Sequence, residues 1–79
     1  MAFYIDLDKI AQTDEYVRYK FYTSEHNVGV IELNFQEEKF KEITPAPEDK
    51  NGLYFERAAW AIAKRWKNRE LPDQLCWAS

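Results

Sequence analysis

Cysteine, histidine and glycine are scarce in this 79-residue chain, and each scarcity closes off a class of chemistry. The single cysteine, Cys76, leaves no internal disulfide and no cysteine-based zinc cluster, and it suits a reducing compartment. The single histidine, His26, lies in the polar run Ser24-Glu25-His26-Asn27 between two strand-like segments, so it reads as a turn residue rather than a base or ligand. Gly29 and Gly52 stand apart, and no phosphate-cradling glycine loop exists. The longest apolar run, residues 58 to 63, is far too short to span a bilayer. The amino end also lacks the basic start, apolar stretch and small-residue cleavage site of a secretory leader. The expectation is a soluble, cytoplasmic protein with no membrane association.

Positive charge is in slight deficit overall, with 11 Lys and Arg against 14 Asp and Glu for a net −3. The split is uneven. Residues 1 to 49 carry five cations against eleven anions, and residues 50 to 79 carry six against three. A basic end of this kind either steers an acidic partner or complements an acidic sheet rim within the fold. The acidic total weighs against nucleic-acid binding, which relies on clustered cations meeting phosphates.

What the chain does have is apolar surface to bury: 46% of its residues are hydrophobic and 16% are aromatic. That composition predicts one folded domain over residues 1–79, near the lower size limit for a core without disulfide or metal support. Phe3, Ile5 and Leu7 alternate with Tyr4, Asp6 and Asp8, which predicts a strand at about residues 2–8. Val17, Tyr19 and Phe21 alternate with Arg18, Lys20 and Tyr22, and predict a second at 16–23. Ile31, Leu33 and Phe35 predict a third at 28–35, joined to the second as a hairpin in which Asn27 and Gly29 supply residues that tolerate positive φ. Residues 39–44 read as an edge strand with a bulge, because Phe40 and Ile43 have mismatched parity and two lysines suit exposure. Pro45 and Pro47 then lead the chain out of the sheet.

From about residue 52 to 69 the period changes to that of a helix. Phe55, Ala59, Ile62 and Trp66 share one stripe at about 100° per residue, Asp49 or Asn51 can cap the start, and Pro72 prevents continuation. The expected architecture is α+β: a three- to four-stranded antiparallel meander, one C-terminal amphipathic helix packed on one face, and a docked tail at 71–79.

Trp60 falls on the side of that helix opposite the core stripe, beside Arg57, Lys64 and Lys67. Either the apolar tail residues Leu75 and Trp77 fold back over it as a small second core, or it is an anchor for a partner. The outer sheet face is a second candidate surface. Tyr4, Arg18, Lys20 and Tyr22 gather there with Tyr16, Glu32 and Asn34, a mixture suited to stacking single-stranded bases or simply to cross-strand pairing.

Catalytic constellations are weak. A Cys76–His26 pair has no orienting third group, and Asp6 with Asp8 share a face because strands alternate. Cys76-Trp77-Ala78-Ser79 places a cysteine where a prenylation signal needs it, but Trp stands where an aliphatic residue belongs, and a buried cysteine beside Trp77 is the simpler reading. No catalytic residue, metal or cofactor is expected.

The stretch Glu70-Leu71-Pro72-Asp73-Gln74-Leu75-Cys76-Trp77-Ala78-Ser79, taken with the helix from Arg57 to Trp66, resembles the end of small bacterial, cyanobacterial-type proteins of unknown function. The resemblance implies bacterial origin and a compact stand-alone domain, and transfers no activity. The leading expectation is a small non-catalytic interaction module, of adaptor or inhibitor type, for a protein partner. The alternative is a single-stranded nucleic-acid binder on the tyrosine face. A homodimer, formed along residues 39–44 or through Trp60, would be a further way to complete so small a core.

Overall fold

Alternate residues of each strand are driven to one side by the need to bury aromatic and branched side chains, and that side becomes the core in the computed structural model, which describes residues 4–78. Strands β1 (Tyr4–Gln12), β2 (Tyr16–Ser24), β3 (Asn27–Asn34) and β4 (Lys39–Thr44) precede helix α1 (Leu53–Trp66), and β5 (Gln74–Ala78) follows it. They form one five-stranded sheet in the order β4-β3-β2-β1-β5, and every neighbouring pair is antiparallel. Ile5 and Leu7 of β1, Val17, Tyr19 and Phe21 of β2, and Ile31 and Leu33 of β3 are buried beneath α1. The expected partner of Ile5 and Leu7 at position 3 lies outside the described residues.

The α+β class and the four-strand meander agree with the sequence pattern, and the order of the last elements does not. The helix is not the C-terminal element. It ends at Trp66, three residues short of the expected limit, and the chain returns as a fifth strand against β1, with Leu75 opposite Leu7 and Trp77 opposite Ile5. β1 also runs on to Gln12, past the expected end at residue 8, through a register irregularity between Lys9 and Ala11 that turns Ile10 out to solvent. The bulge expected in β4 is present, opposite the step from Val30 to Ile31.

The β2–β3 connection corrects the reading of Asn27 and Gly29. Both lie within β3, and the turn between the strands is Glu25-His26. Asn27 is buried at 2% exposure; its amide donates to the Thr23 hydroxyl at 2.9 Å, and its carbonyl accepts the Glu48 N–H at 2.8 Å. A residue with turn chemistry instead ties the proline loop to the sheet, and satisfies a polar group that burial would otherwise penalise. Gly29 faces Phe21 across the ladder, and its missing side chain lets that ring lie on the backbone.

At the helix start Gly52 takes φ 71°, and the Asp49 carboxylate accepts the N–H groups of Tyr54 and Phe55 at 3.0 Å each. At its end Arg69 adopts φ 56°, Glu70 N–H donates to Arg65 O, and the Arg69 guanidinium lies 4.2 Å from the centre of the Trp66 ring. The link to β5 is then fastened to the sheet. Lys9 Nζ donates to Leu71 O at 2.5 Å, Lys9 N–H to Asp73 O at 2.8 Å, and the Tyr19 hydroxyl to Pro72 O at 2.6 Å.

Burial, with the Asp73 charge adding to it, pushes the Tyr19 phenol from 10.0 up to about 12. The folded value lies above that of the unfolded chain. Its contribution to stability is therefore intact below about pH 10 and is lost as pH rises through about 12, a fall of up to about 3 kcal/mol. Denaturant titrations across that range should show a steeper alkaline loss for the natural chain than for Tyr19→Phe. Parallel curves would show that the phenol does not govern it.

Candidate functional site

The site builds up from one row of α1. Residues three or four apart share a helix face, so Arg57, Trp60, Lys64 and Lys67 form a stripe on the side away from Ile62. The fold brings β5 alongside this stripe. Trp77, on the core-facing side of β5, meets Trp60 edge to face with centroids 5.7 Å apart, and the Arg57 guanidinium stacks 4.1 Å from the Trp60 centroid and 5.9 Å from that of Trp77. The tail therefore reaches Trp60 without covering it: Trp60 remains 45% exposed and Leu53 41%. Leu75 does not join a second core, because it is buried in the main one opposite Leu7.

Electrostatics along the stripe are one-sided. Arg57 is 3.7 Å from Glu56 and Arg65 is 3.8 Å from Glu70, whereas Lys64 and Lys67 are exposed and have no ion pair among the described residues. Between the helix and β5 runs a groove of about 490 Å³, bounded by Ala61, Lys64, Arg65 and Asn68 on the helix side and by residues 75–78 on the strand side. The sequence pointed to Trp60, Arg57, Lys64 and Lys67 but not to this groove. Ala61, Arg65, Asn68 and the β5 backbone were missed, although the alternation of Leu75 and Trp77 with Gln74, Cys76 and Ala78 carries a strand signal.

The outer sheet face brings Arg18, Lys20 and Tyr22 together on β2 and keeps them occupied. Arg18 donates to Glu32 at 2.8 Å and lies 4.7 Å from the Tyr16 ring centre. Lys20 lies 3.8 Å from Asp8 and 5.5 Å from the Tyr22 ring centre. The Tyr22 hydroxyl donates to Asp8 at 3.0 Å, and that hydrogen bond, ahead of the other contributions, raises the phenol above 10.0. Tyr4 stands apart at 63% exposure, opposite Ala78. The cations of this face are thus matched by carboxylates of the same face.

Cys76 is exposed, not buried beside Trp77, since β5 turns it to the outer face opposite Asp6. His26 is exposed in the β2–β3 turn, and no hydrogen bond joins it to Cys76 among the described residues. No helix among the described residues is long and apolar enough to cross a membrane. The chain matches no known protein family, and neither curated proteins nor solved structures show significant similarity to it.

Proposed function

We propose that the chain is a non-catalytic interaction module whose partner is another protein, docked on the helix face of Trp60, Arg57, Lys64 and Lys67. The observation that carries this reading is the 45% exposure of Trp60 while Arg57 and Trp77 hold its ring from two sides. A large apolar side chain left open has a desolvation gain to offer a partner, and one already ordered loses little entropy on binding. Tryptophan and arginine at the centre, with lysines beside them, match the residue types that dominate binding energy at protein interfaces. A lone, exposed thiol at Cys76 is compatible with a reducing interior, so the same reading takes the protein as cytoplasmic.

Trp60→Ala tests it. Loss of one edge-to-face contact and one cation–ring contact should cost about 1 to 2 kcal/mol, leaving the fold intact by circular dichroism. In quantitative pull-downs from the native host, retention of the partner should drop by about 30-fold, the loss expected of an interfacial tryptophan. Equal retention by the folded variant would remove the helix face as the binding surface.

A further inference from the structure

The two open edges of the sheet are not alike. β4 presents Lys39, Lys41 and Glu42, all exposed, and its ladder is broken by a bulge; these are the devices that keep an edge from pairing with another chain. β5 has none of them. Gln74-Leu75-Cys76-Trp77-Ala78 carries no charge and no proline, and its register with β1 is regular from Tyr4–Ala78 to Asp8–Gln74. Alternate backbone N–H and C=O groups of such a strand point away from its single neighbour, and among the described residues they meet no backbone partner.

The surroundings of this edge specify what it would take. The groove of about 490 Å³ runs along it on the helix side, with Ala61 as a small floor residue and Lys64 and Arg65 on the wall. A second hollow of about 460 Å³ on the other side is lined by Asp6 and Asp8 as well as Arg65, so the basic wall is that of the helix-side groove, where Lys64 stands without an ion pair among the described residues and Arg65 lies 3.8 Å from Glu70. We infer that β5 is a strand-addition site for an extended, acidic peptide segment of a partner protein, laid between β5 and α1. Backbone hydrogen bonds supply affinity, and side chains of one parity drop toward Lys64 and Arg65. Acidic residues at those alternate positions complement the wall.

A second copy of the chain fits less well. Antiparallel pairing of two β5 edges about a twofold axis puts both helices on the same side of the joined sheet, and sets Lys64 and Arg65 toward their counterparts. The inference rests on the helix face being a binding surface, and adds to it the mode of binding and the chemistry of the partner.

The experiment uses the full chain and an end-blocked heptapeptide alternating glutamate and threonine, carrying a neutral fluorophore, at low salt. Saturable anisotropy is expected, with amide shifts in Gln74–Ala78 by NMR. Binding should weaken by about tenfold or more when lysine replaces glutamate, and likewise when alternate peptide amides are N-methylated, because the first removes charge contacts and the second the ladder. The doubly substituted Lys64→Glu, Arg65→Glu chain, altered only at exposed positions, should reverse the preference toward the lysine peptide. No saturation, indifference to N-methylation, or shifts confined to β4 would overturn strand addition. So would a concentration-dependent dimer in sedimentation with β5 amides protected, which would make a second copy the occupant. If Trp60→Ala abolishes partner capture while the peptides fail to bind, strand addition falls and the helix-face reading stands.

Discussion

A chain ending at Glu70 should fail to fold. Removal of residues 71 to 79 takes away Leu75, which is buried, and Leu71 and Trp77, which pack against the core. At about 1.5 to 3 kcal/mol per large apolar side chain, that is roughly 4 to 8 kcal/mol of burial. The deletion also removes Pro72 O, the acceptor of the buried Tyr19 hydroxyl, and Leu71 O and Asp73 O, the acceptors of Lys9. An unsatisfied buried donor adds about 1 to 3 kcal/mol to the loss. A domain of this length has roughly 4 to 12 kcal/mol of stability in all, so the deficit consumes most or all of it. Circular dichroism and thermal denaturation would show a chain without a cooperative transition. A native spectrum with a cooperative melt would mean that β5 is an accessory to a self-sufficient four-stranded unit. Adding residues 71–79 back as a peptide gives a second readout, since recovery of the native signal would show β1 accepting a strand in trans.

The missing fifth strand shows where sequence reasoning stopped. β2 and β3 are legible because Val17, Tyr19 and Phe21, then Ile31 and Leu33, fall on alternate positions within strands of nine and eight residues. β5 has five residues and only Leu75 and Trp77 to mark a period, and its partner β1 is more than sixty positions away in the chain. A short segment of that kind gains strand identity from its neighbour rather than from its own pattern. The helical period was legible for the same reason as the long strands, and with it the anomalous side occupied by Trp60, but the buried face centres on Ala58, Ala61 and Ile62, with Phe55, Ala59 and Trp66 partly buried at its margin. Whether Trp60 is covered depends on where Trp77 lands, and that depends on the β1–β5 register, which no local signal contains. Asn27 makes the same point in reverse. Its residue type suggests a turn, but a backbone group 21 positions downstream decides its use.

Gly29 is the position where one methyl group should do the most damage inside the sheet. A Cβ built there collides with the Phe21 ring and comes within 2.8 Å of Thr44 O, so β3 is squeezed between a core aromatic and the bulged edge strand. The Phe21 ring is fully buried and sits edge to face with Phe55 of α1 at 6.4 Å between centroids, so it has no free space into which to retreat. Moving it means shifting the helix contact as well. Gly29→Ala should therefore cost about 2 to 3 kcal/mol, against a gain of up to about 1 kcal/mol from restricting the unfolded chain. Urea denaturation of four chains separates the causes: natural, Gly29→Ala, Phe21→Leu, and both together. If the clash with Phe21 dominates, the double variant should lose less than the sum of the single losses by about 1 kcal/mol or more, because a smaller side chain at position 21 vacates the space that the added methyl needs. Strict additivity would place the strain on Thr44 O and the β4 bulge instead. That outcome would make the edge strand, rather than the core aromatic, the reason that β3 carries a glycine opposite Phe21.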